Sequence, residues 1–545
     1  LNPTAPNSAV TGQQPGLGYL YFTIFISGMT TLAVEMTASR LLGSVFGTSN
    51  LVWANVIGLI LIYLAAGYFI GGRWADRSPH ARTLYAILCW GAFLCALIPL
   101  VARPVLTTAG AAVSSIDAGL AVGSFAVTLI LFALPITLLG TASPFAIRLA
   151  VTDAASAGRT SGRIYAVSTL GSLIGTFIPA LFLIPEVGTF GTFLLASAVL
   201  FAAAWFGLFR AAPGRALRLL WMPPLVAVLA AVVLSGPLRP PLPGMALLYE
   251  SESGYNYIQV QEDAGGTRYL SLNEGQGVHS EWHPTVFGFG RTWDFFLTAP
   301  YFNPPDAAAP IRPVERILII GLAAGTIARQ HQHVYGDGLG RAIGIDGIEI
   351  DGRIVEAAAE YFDLNTTAIP GLRVFVGDGR FELNRRAERY SLIAIDAYRP
   401  PYIPWHLTTR EYFEEVRARL LPDGVVAINV GRTSTDRRLI DALTATLLTV
   451  FPSVHAMDVP FSFNTILVAT QTPTAPENLL ASLALLPADA PALLRDSMAL
   501  GAGSLVPVAP SSIVFTDDRA PVETMVDSLV LNFFLTGGLS ELQGS

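Results

Sequence analysis

Asp396 and Tyr398 close the apolar run Ser391–Ile395 and bring a carboxylate and a phenol to the end of one strand. The stretch reads Asp396-Ala-Tyr-Arg399-Pro-Pro-Tyr-Ile-Pro-Trp-His-Leu-Thr-Thr409. Upstream, Arg316-Ile-Leu-Ile-Ile-Gly-Leu-Ala-Ala-Gly-Thr326 reads as a strand entering a small-residue turn and then a helix from Ile327. Gly321 and Gly325 in that turn let backbone approach a ligand. The following strand ends in Gly347-Ile-Glu-Ile-Asp351, which places Glu349 to accept hydrogen bonds from a ribose. Val376-Gly-Asp-Gly-Arg380 then sets Asp378 toward an adenine amino group. Three strand ends so spaced outline a nucleoside site. The competing reading is a Rossmann-like sheet with ordinary acidic turn residues.

The elements that must hold these residues follow from hydrophobic patterning. Arg316–Ile320, Ala342–Ile350, Leu372–Val376, Ser391–Ile395 and Val425–Val430 read as strands with helical segments between them, which implies a parallel sheet covered on both faces. His455–Val459 and Thr465–Ala469 read as a closing hairpin. Before them, Tyr255–Gln261 and Arg268–Leu272 alternate in period two around Asp263-Ala-Gly-Gly266, a hairpin pattern.

Composition requires a second environment. The chain has 545 residues, 52% of them hydrophobic and only 13% charged, which places part of it in lipid. Apolar runs at roughly 18–38, 51–71, 84–103, 119–141, 164–184, 188–208 and 216–236 each approach the ~20 residues that span a bilayer, giving about seven helices. The first run lacks a basic flank, so it does not read as a cleavable signal peptide. The chain opens on Leu1 rather than Met, which points to missing upstream residues.

The organisation expected is therefore a flexible lead-in over 1–16, a transmembrane domain over 17–236, and a Pro-rich linker over 237–247. A β-rich part over 248–300 and a Rossmann-like domain over 301–545 follow. Arginines cluster after the second, fourth and sixth runs, at Arg73, Arg77 and Arg82, at Arg148, Arg159 and Arg163, and at Arg210, Arg215 and Arg218. The positive-inside rule puts those loops and the N-terminus in the cytoplasm, of a bacterial inner membrane on this reading. With seven spans the C-terminal domain lies outside.

Several chemistries are excluded. All 33 basic residues are arginine, so neither a Schiff base nor a Walker lysine is available. A net charge of −7 argues against a nucleic-acid partner. Cys89 and Cys95 both fall in the third apolar run and read as buried hydrophobes. His279, His283, His331 and His333 match no zinc spacing, so no metal site is expected.

In the membrane half, Gly67-Tyr-Phe-Ile-Gly-Gly-Arg-Trp-Ala-Asp-Arg77 resembles the loop signature of major facilitator transporters, with Arg73, Asp76 and Arg77 as its charged members. A plain topology-setting basic turn explains the same residues. Glu35, inside the first run, is a functional candidate because intramembrane carboxylates are costly; a polar contact with Arg40 or a neighbouring helix is the alternative.

The ordered set Gly321, Glu349, Asp378 and Asp396, followed by His406-Leu-Thr-Thr409, is similar to the spermidine synthase family of polyamine aminopropyltransferases, a branch of the class I methyltransferase-like fold. The whole chain resembles bacterial proteins that fuse a facilitator-like membrane block to such a domain, and Thr516-Asp-Asp-Arg-Ala-Pro-Val-Glu523 looks like a signature of those fusions. The resemblance implies a multi-pass α-helical domain joined to an α/β Rossmann-like domain. It also implies transfer of an aminopropyl group from decarboxylated S-adenosylmethionine to putrescine. Asp396 and Tyr398 then carry catalysis, Gly321, Gly325, Glu349 and Asp378 hold the donor, and Asn256, Gln276 and Arg399 line the amine side.

Three features depart from the family pattern, the first being that the Tyr-Gln or Tyr-His pair that contacts the polyamine has no clear counterpart in Gln276-Gly-Val-His-Ser-Glu-Trp-His283. Ala324 stands where an aspartate holds the donor's ammonium, and Arg399 stands where an aspartate follows the catalytic one. Each lost charge-assisted hydrogen bond is worth roughly 1.5–3 kcal/mol, and Glu274, Glu281 and Asp294 are the candidate replacements. Three functions follow: an aminopropyltransferase acting on a polyamine or other small amine; a non-catalytic structural or regulatory subunit of a membrane complex; and an enzyme using intact S-adenosylmethionine, with Arg399 on its carboxylate.

Overall fold

The structure, a computed structural model, describes residues 16–46, 50–115, 119–273, 277–398, 403–433, 436–509 and 511–535. Gln276 and Arg399 therefore lie outside the described residues, as does Glu274. The chain divides into two compact units that meet in sequence between Arg239 and Pro240.

The first unit is all helix: α1 (Leu17–Phe46), α2 (Asn50–Arg77), α3 (Ala81–Ser115), α4 (Gly119–Gly140), α5 (Ala142–Ala150), α6 (Ala157–Ile178), α7 (Ile184–Ala211), α8 (Pro213–Leu217) and α9 (Met222–Leu234). Its outward surface carries Phe69, Ile130 and Val232, each more than 60% exposed, the reverse of a water-soluble bundle. Among the described residues, six helical stretches are long and apolar enough to cross a membrane, and one of them, Ala157–Ala211, is 55 residues long.

That long stretch is not one rod. A π-turn over Pro179–Leu183 and a left-handed Gly188 (φ +71°) interrupt it. A Cβ on Gly171 would lie 2.0 Å from Phe25 O and one on Gly175 2.0 Å from Met29 O, so α6 lies against α1 and runs parallel to it. Small residues make that backbone approach available. The α7 arm runs the other way, with Tyr19 Oη donating to Ala203 O at 2.6 Å and Thr30 Oγ1 to Ala196 O at 3.3 Å. The two arms consequently fold back on α1 in opposite senses.

The second unit opens with an antiparallel sheet of β1 (Ala246–Glu252), β2 (Tyr257–Glu262), β3 (Arg268–Leu272) and β4 (Val278–Trp282). A short helix, α10 (Thr292–Phe296), leads into β5 (Arg316–Ile320), α11 (Thr326–His331), β6 (Gly344–Glu349), α12 (Gly352–Tyr361), β7 (Leu372–Val376), α13 (Gly379–Asn384) and β8 (Tyr390–Ile395). After α14 (Arg410–Ala418) come β9 (Leu420–Gly431), α15 (Arg438–Leu448), β10 (Ser453–Asp458), β11 (Asn464–Thr470) and β12 (Leu505–Val506).

These last eight strands form one sheet in the order β12-β10-β11-β9-β8-β5-β6-β7. The pairs among β5 to β9 are parallel, whereas β11 pairs antiparallel with both β9 and β10. Five parallel strands closed by an antiparallel pair make this a class I methyltransferase-like fold. Ile317 and Ile319 feed one core and Leu318 and Ile320 another, so both faces of β5 are buried and its sequence reads as an unbroken apolar run.

Candidate functional site

After β5 the chain winds outward to β6 and β7, then returns to place β8 on the other side of β5. The order reverses between β5 and β8, and the carboxyl ends of those strands border the crevice where ligands bind in such sheets. Gly321 occupies that point with φ +88°, a conformation side chains other than glycine rarely adopt. A Cβ there would sit 2.4 Å from Asp396 O. The N–H groups of Gly321 and Leu322 both donate to Ile348 O, at 3.0 and 2.9 Å. Gly325, also left-handed at φ +85°, immediately precedes α11.

Glu349, at the end of β6, holds this turn. Its Oε2 accepts from Ala323 N at 2.9 Å and its Oε1 from Asp351 N at 3.1 Å. Burial pushes the carboxyl up to about 7, against the pull of those two N–H groups. Asp351 caps α12 by accepting from Arg353 N, and its Oδ2 accepts from Ser253 Oγ at 2.6 Å and Asn256 Nδ2 at 3.0 Å. Asn256 also accepts from Asn273 Nδ2 at 3.0 Å, so its amide ties the antiparallel sheet to the turn that follows β6.

Asp378 caps α13, with Oδ1 accepting from Phe381 N at 2.9 Å. Its Oδ2 lies 2.8 Å from His406 Nε2, and that contact lowers the carboxyl below its usual range. The spacing rules did not point to His406 as a partner. Next to it, Arg380 makes paired hydrogen bonds to Glu415 (2.9 and 2.7 Å) and to Asp517 (2.8 and 2.9 Å). Thr409 Oγ1 donates to Asp517 Oδ1 at 2.7 Å, and Asp517 N donates to Glu411. The Thr516–Glu523 motif thus has a physical role: it fastens the C-terminal segment over α13 and α14 through one guanidinium.

Asp396 lies on the other side of the crevice. Asn429 Nδ2, from the end of β9, donates to its Oδ1 at 2.9 Å, and the Trp293 side chain in α10 also hydrogen-bonds to the carboxylate. Burial raises the carboxyl to about 6, less than it would without those two donors. Tyr398 donates its phenol to Asn429 O at 3.2 Å, and burial beside Asp396 holds its pKa well above the ordinary value. Asn429 is visible in the sequence as a polar residue ending an apolar strand; Trp293 gives no such signal.

Gly321, Glu349, Asp378, Asp396 and Tyr398 thus all belong to turns or strand ends on the carboxyl side of one sheet. Ala324 is buried, and its N–H donates to Ser280 Oγ at 2.9 Å. The two described candidates for replacing its missing acid are committed elsewhere. Arg291 Nε lies 2.7 Å from Glu281, and Asp294 accepts from Gly290 N, Phe289 N and Gln330 Nε2. Burial raises both carboxyls, that of Glu281 to about 7.

Of the histidines read for metal spacing, two go to packing. His331 is buried with Nδ1 2.8 Å from Ile327 O, and His333 stacks on Phe287. In the first unit, Asp76 pairs with Arg148 of α5 at 3.2 Å, joining α2 to α5, while Arg73 and Arg77 are exposed. Glu35 is buried on α1.

No family model matches the chain. Over 232 residues it is 35% identical to a probable polyamine aminopropyl transferase of Bifidobacterium longum, covering 41% of this chain and 48% of that protein. Over 218 residues it is 31% identical to a polyamine aminopropyltransferase of Vibrio vulnificus, covering 39% of this chain and 68% of that one. The chain thus spans about half the length of the first relative and two thirds of the second. Among solved structures, a probable spermidine synthase from Corynebacterium glutamicum aligns at 20% identity and a TM-score of 0.37, covering 50% of this chain and 98% of that one.

Replacing Arg380 with Ala removes four charge-assisted hydrogen bonds from a partly buried cluster. We expect a loss of roughly 1.5–3 kcal/mol in denaturant unfolding, together with faster proteolytic release of the segment around Asp517. An Arg380→Ala protein with unchanged stability and cleavage would contradict the clasp.

Proposed function

The chain belongs to the polyamine aminopropyltransferase family, and we propose that its second unit transfers an aminopropyl group from decarboxylated S-adenosylmethionine to a small amine. The observation that carries this reading is Asp396. It is a carboxylate at the switch point of the sheet, held by Asn429 and Trp293, with its pKa brought up to about 6.

In this reaction the amine nitrogen bonds to the donor's terminal methylene as that carbon's bond to the sulfonium breaks. Sulfur keeps the electron pair and leaves as a neutral thioether. The nitrogen must shed a proton, and a base with a pKa near 6 is ionised at neutral pH yet basic enough to accept it. Tyr398, kept protonated and bonded to the β9 backbone, positions the strand end. Glu349 retains lone pairs for ribose hydroxyls beyond the two it gives to the turn. Asp378 faces the adenine side with His406 as its neighbour, and exposed Ile350 and Val376 offer apolar walls. Asn256 acts through Asp351, and Gln276 and Arg399 complete the amine side by sequence position. Arg399 favours an acceptor less dependent on carboxylate clamps than a dication, whereas Ala324 leaves the donor's ammonium without its usual acid.

We further propose that the first unit anchors this enzyme in lipid, with Arg73, Asp76 and Arg77 at the cytoplasmic ends of their helices. A donor made in the cytosol requires an even number of crossings. The last apolar stretch, Pro213–Leu234, has 22 residues and is long and apolar enough to cross, so an even count requires it to lie in the membrane without crossing. On this reading six arms return the second unit to the cytoplasmic face. Single cysteines introduced at exposed sites of the second unit should resist membrane-impermeant maleimides in intact cells and react after lysis. Labelling in intact cells would remove the cytosolic reading.

Catalysis is tested by following thioether nucleoside release with putrescine and related amines. Asp396→Asn should lower kcat by about 10²–10⁴ with little change in donor binding. In the wild type, kcat/KM should fall as pH drops through about 6, because the base becomes protonated. Asn429→Leu, which removes a bond to the ionised form, should move that limb to higher pH. Turnover by Asp396→Asn equal to the wild type would end the assignment; donor binding without turnover in the wild type would favour a regulatory subunit.

A further inference from the structure

Asp378 is held by two donors from different parts of the chain. Phe381 N, in the helix that Asp378 caps, reaches Oδ1 at 2.9 Å, and His406 Nε2 lies 2.8 Å from Oδ2. An ionised carboxylate has only acceptor sites, so Nε2 carries the imidazole proton in this contact. His406 is itself fixed in place. It stands in the 3₁₀ turn Trp405–Leu407, closed by Leu407 N donating to Pro404 O at 2.9 Å, and its carbonyl accepts from Arg380 Nη1 at 3.3 Å. Leu407, next in the turn, is buried. The guanidinium that grips Glu415 and Asp517 therefore also holds the main chain of the residue that orients Asp378.

The pair stays open to a ligand. Of the His406 side chain 31% is exposed and of the Asp378 side chain 39%, beside the exposed Ile350 and Val376. Each carboxylate oxygen keeps a lone pair beyond the donor it already has. With His406 in place the carboxylate is kept ionised and in one orientation, so toward a ligand it can only accept.

That restriction distinguishes one purine edge from another. A 6-amino group donates an N–H to such a carboxylate, whereas a 6-oxo group sets its own oxygen against it, and a site built around a hydrogen bond rejects the partner that cannot make it. Without the imidazole, Oδ2 is free to turn or to take up a proton, and a protonated carboxyl can donate to a 6-oxo group. On the reading of this crevice as a nucleoside-donor site, on which this inference rests, we propose that His406 is a positioning residue that keeps Asp378 an acceptor and so selects a 6-aminopurine over a 6-oxopurine.

The full chain in detergent is titrated calorimetrically with 5′-methylthioadenosine and, separately, with 5′-methylthioinosine, which differ only at that edge of the base. The wild type should bind the amino form about 10²-fold more tightly, and His406→Ala should cut that ratio at least about tenfold, mostly by weakening the amino form. His406→Gln, which returns an amide N–H to the carboxylate, should recover most of the ratio, and the Tm of each variant shows whether the fold is kept. An unchanged ratio in His406→Ala, equal weakening of both nucleosides in a folded His406→Ala protein, or a wild type that binds both forms alike would each overturn the assignment while leaving the nucleoside site standing. A wild type that binds neither form would remove the nucleoside reading itself, and this inference with it.

Discussion

The second unit depends on one close approach of backbone to backbone, at Gly321. A single Cβ at that position would lie 2.4 Å from the carbonyl of Asp396, and the required φ of +88° disfavours any other residue. Because β5 and β8 meet there without a side chain between them, Asp396 and the glycine turn share one crevice. The same turn sends Ala323 N to Glu349 and two further N–H groups to Ile348 O. Three strand ends are thus locked by main-chain bonds before any ligand arrives, and the carboxylates they carry are already oriented.

The site's electrostatics follow from that locking. Glu349 and Asp396 are both pushed up by burial, whereas Asp378, held by His406, is pushed down. Acids with environments this different suit different tasks: on the proposed reading Glu349 organises backbone and ribose, Asp378 caps a helix beside the adenine side, and Asp396 takes the proton. The family relationship supplies the reaction class, and this division of labour supplies a way for the residues to perform it.

Much of this was legible in sequence. Arg316–Ile320 and Leu372–Val376 were recognisable as strands by their apolar runs, the first of them buried on both faces, and Gly321, Glu349, Asp378 and Asp396 by their places at strand ends. What could not be read were partners far apart in the chain. His406 meets Asp378 across 28 residues and Arg380 meets Asp517 across 137, and no local pattern encodes such pairs. Asn256 was expected at the amine but is engaged by Asp351 and Asn273, a tie that depends on how two sheets meet. In the helical unit, Pro179, Pro185 and Gly188 announce a break, yet only the opposed contacts of α6 and α7 on α1 reveal that the chain doubles back.

The central claim is that the crevice beside Gly321 is a working site for a nucleoside donor. Calorimetric titration of the full chain with decarboxylated S-adenosylmethionine and, separately, with S-adenosylmethionine tests it most directly. The expected result is saturable binding of the decarboxylated donor, weakened by Glu349→Gln and retained in Asp396→Asn. Binding of neither nucleoside to a folded chain would contradict the account, whereas preference for the carboxylated form would transfer the site to a different group-transfer reaction.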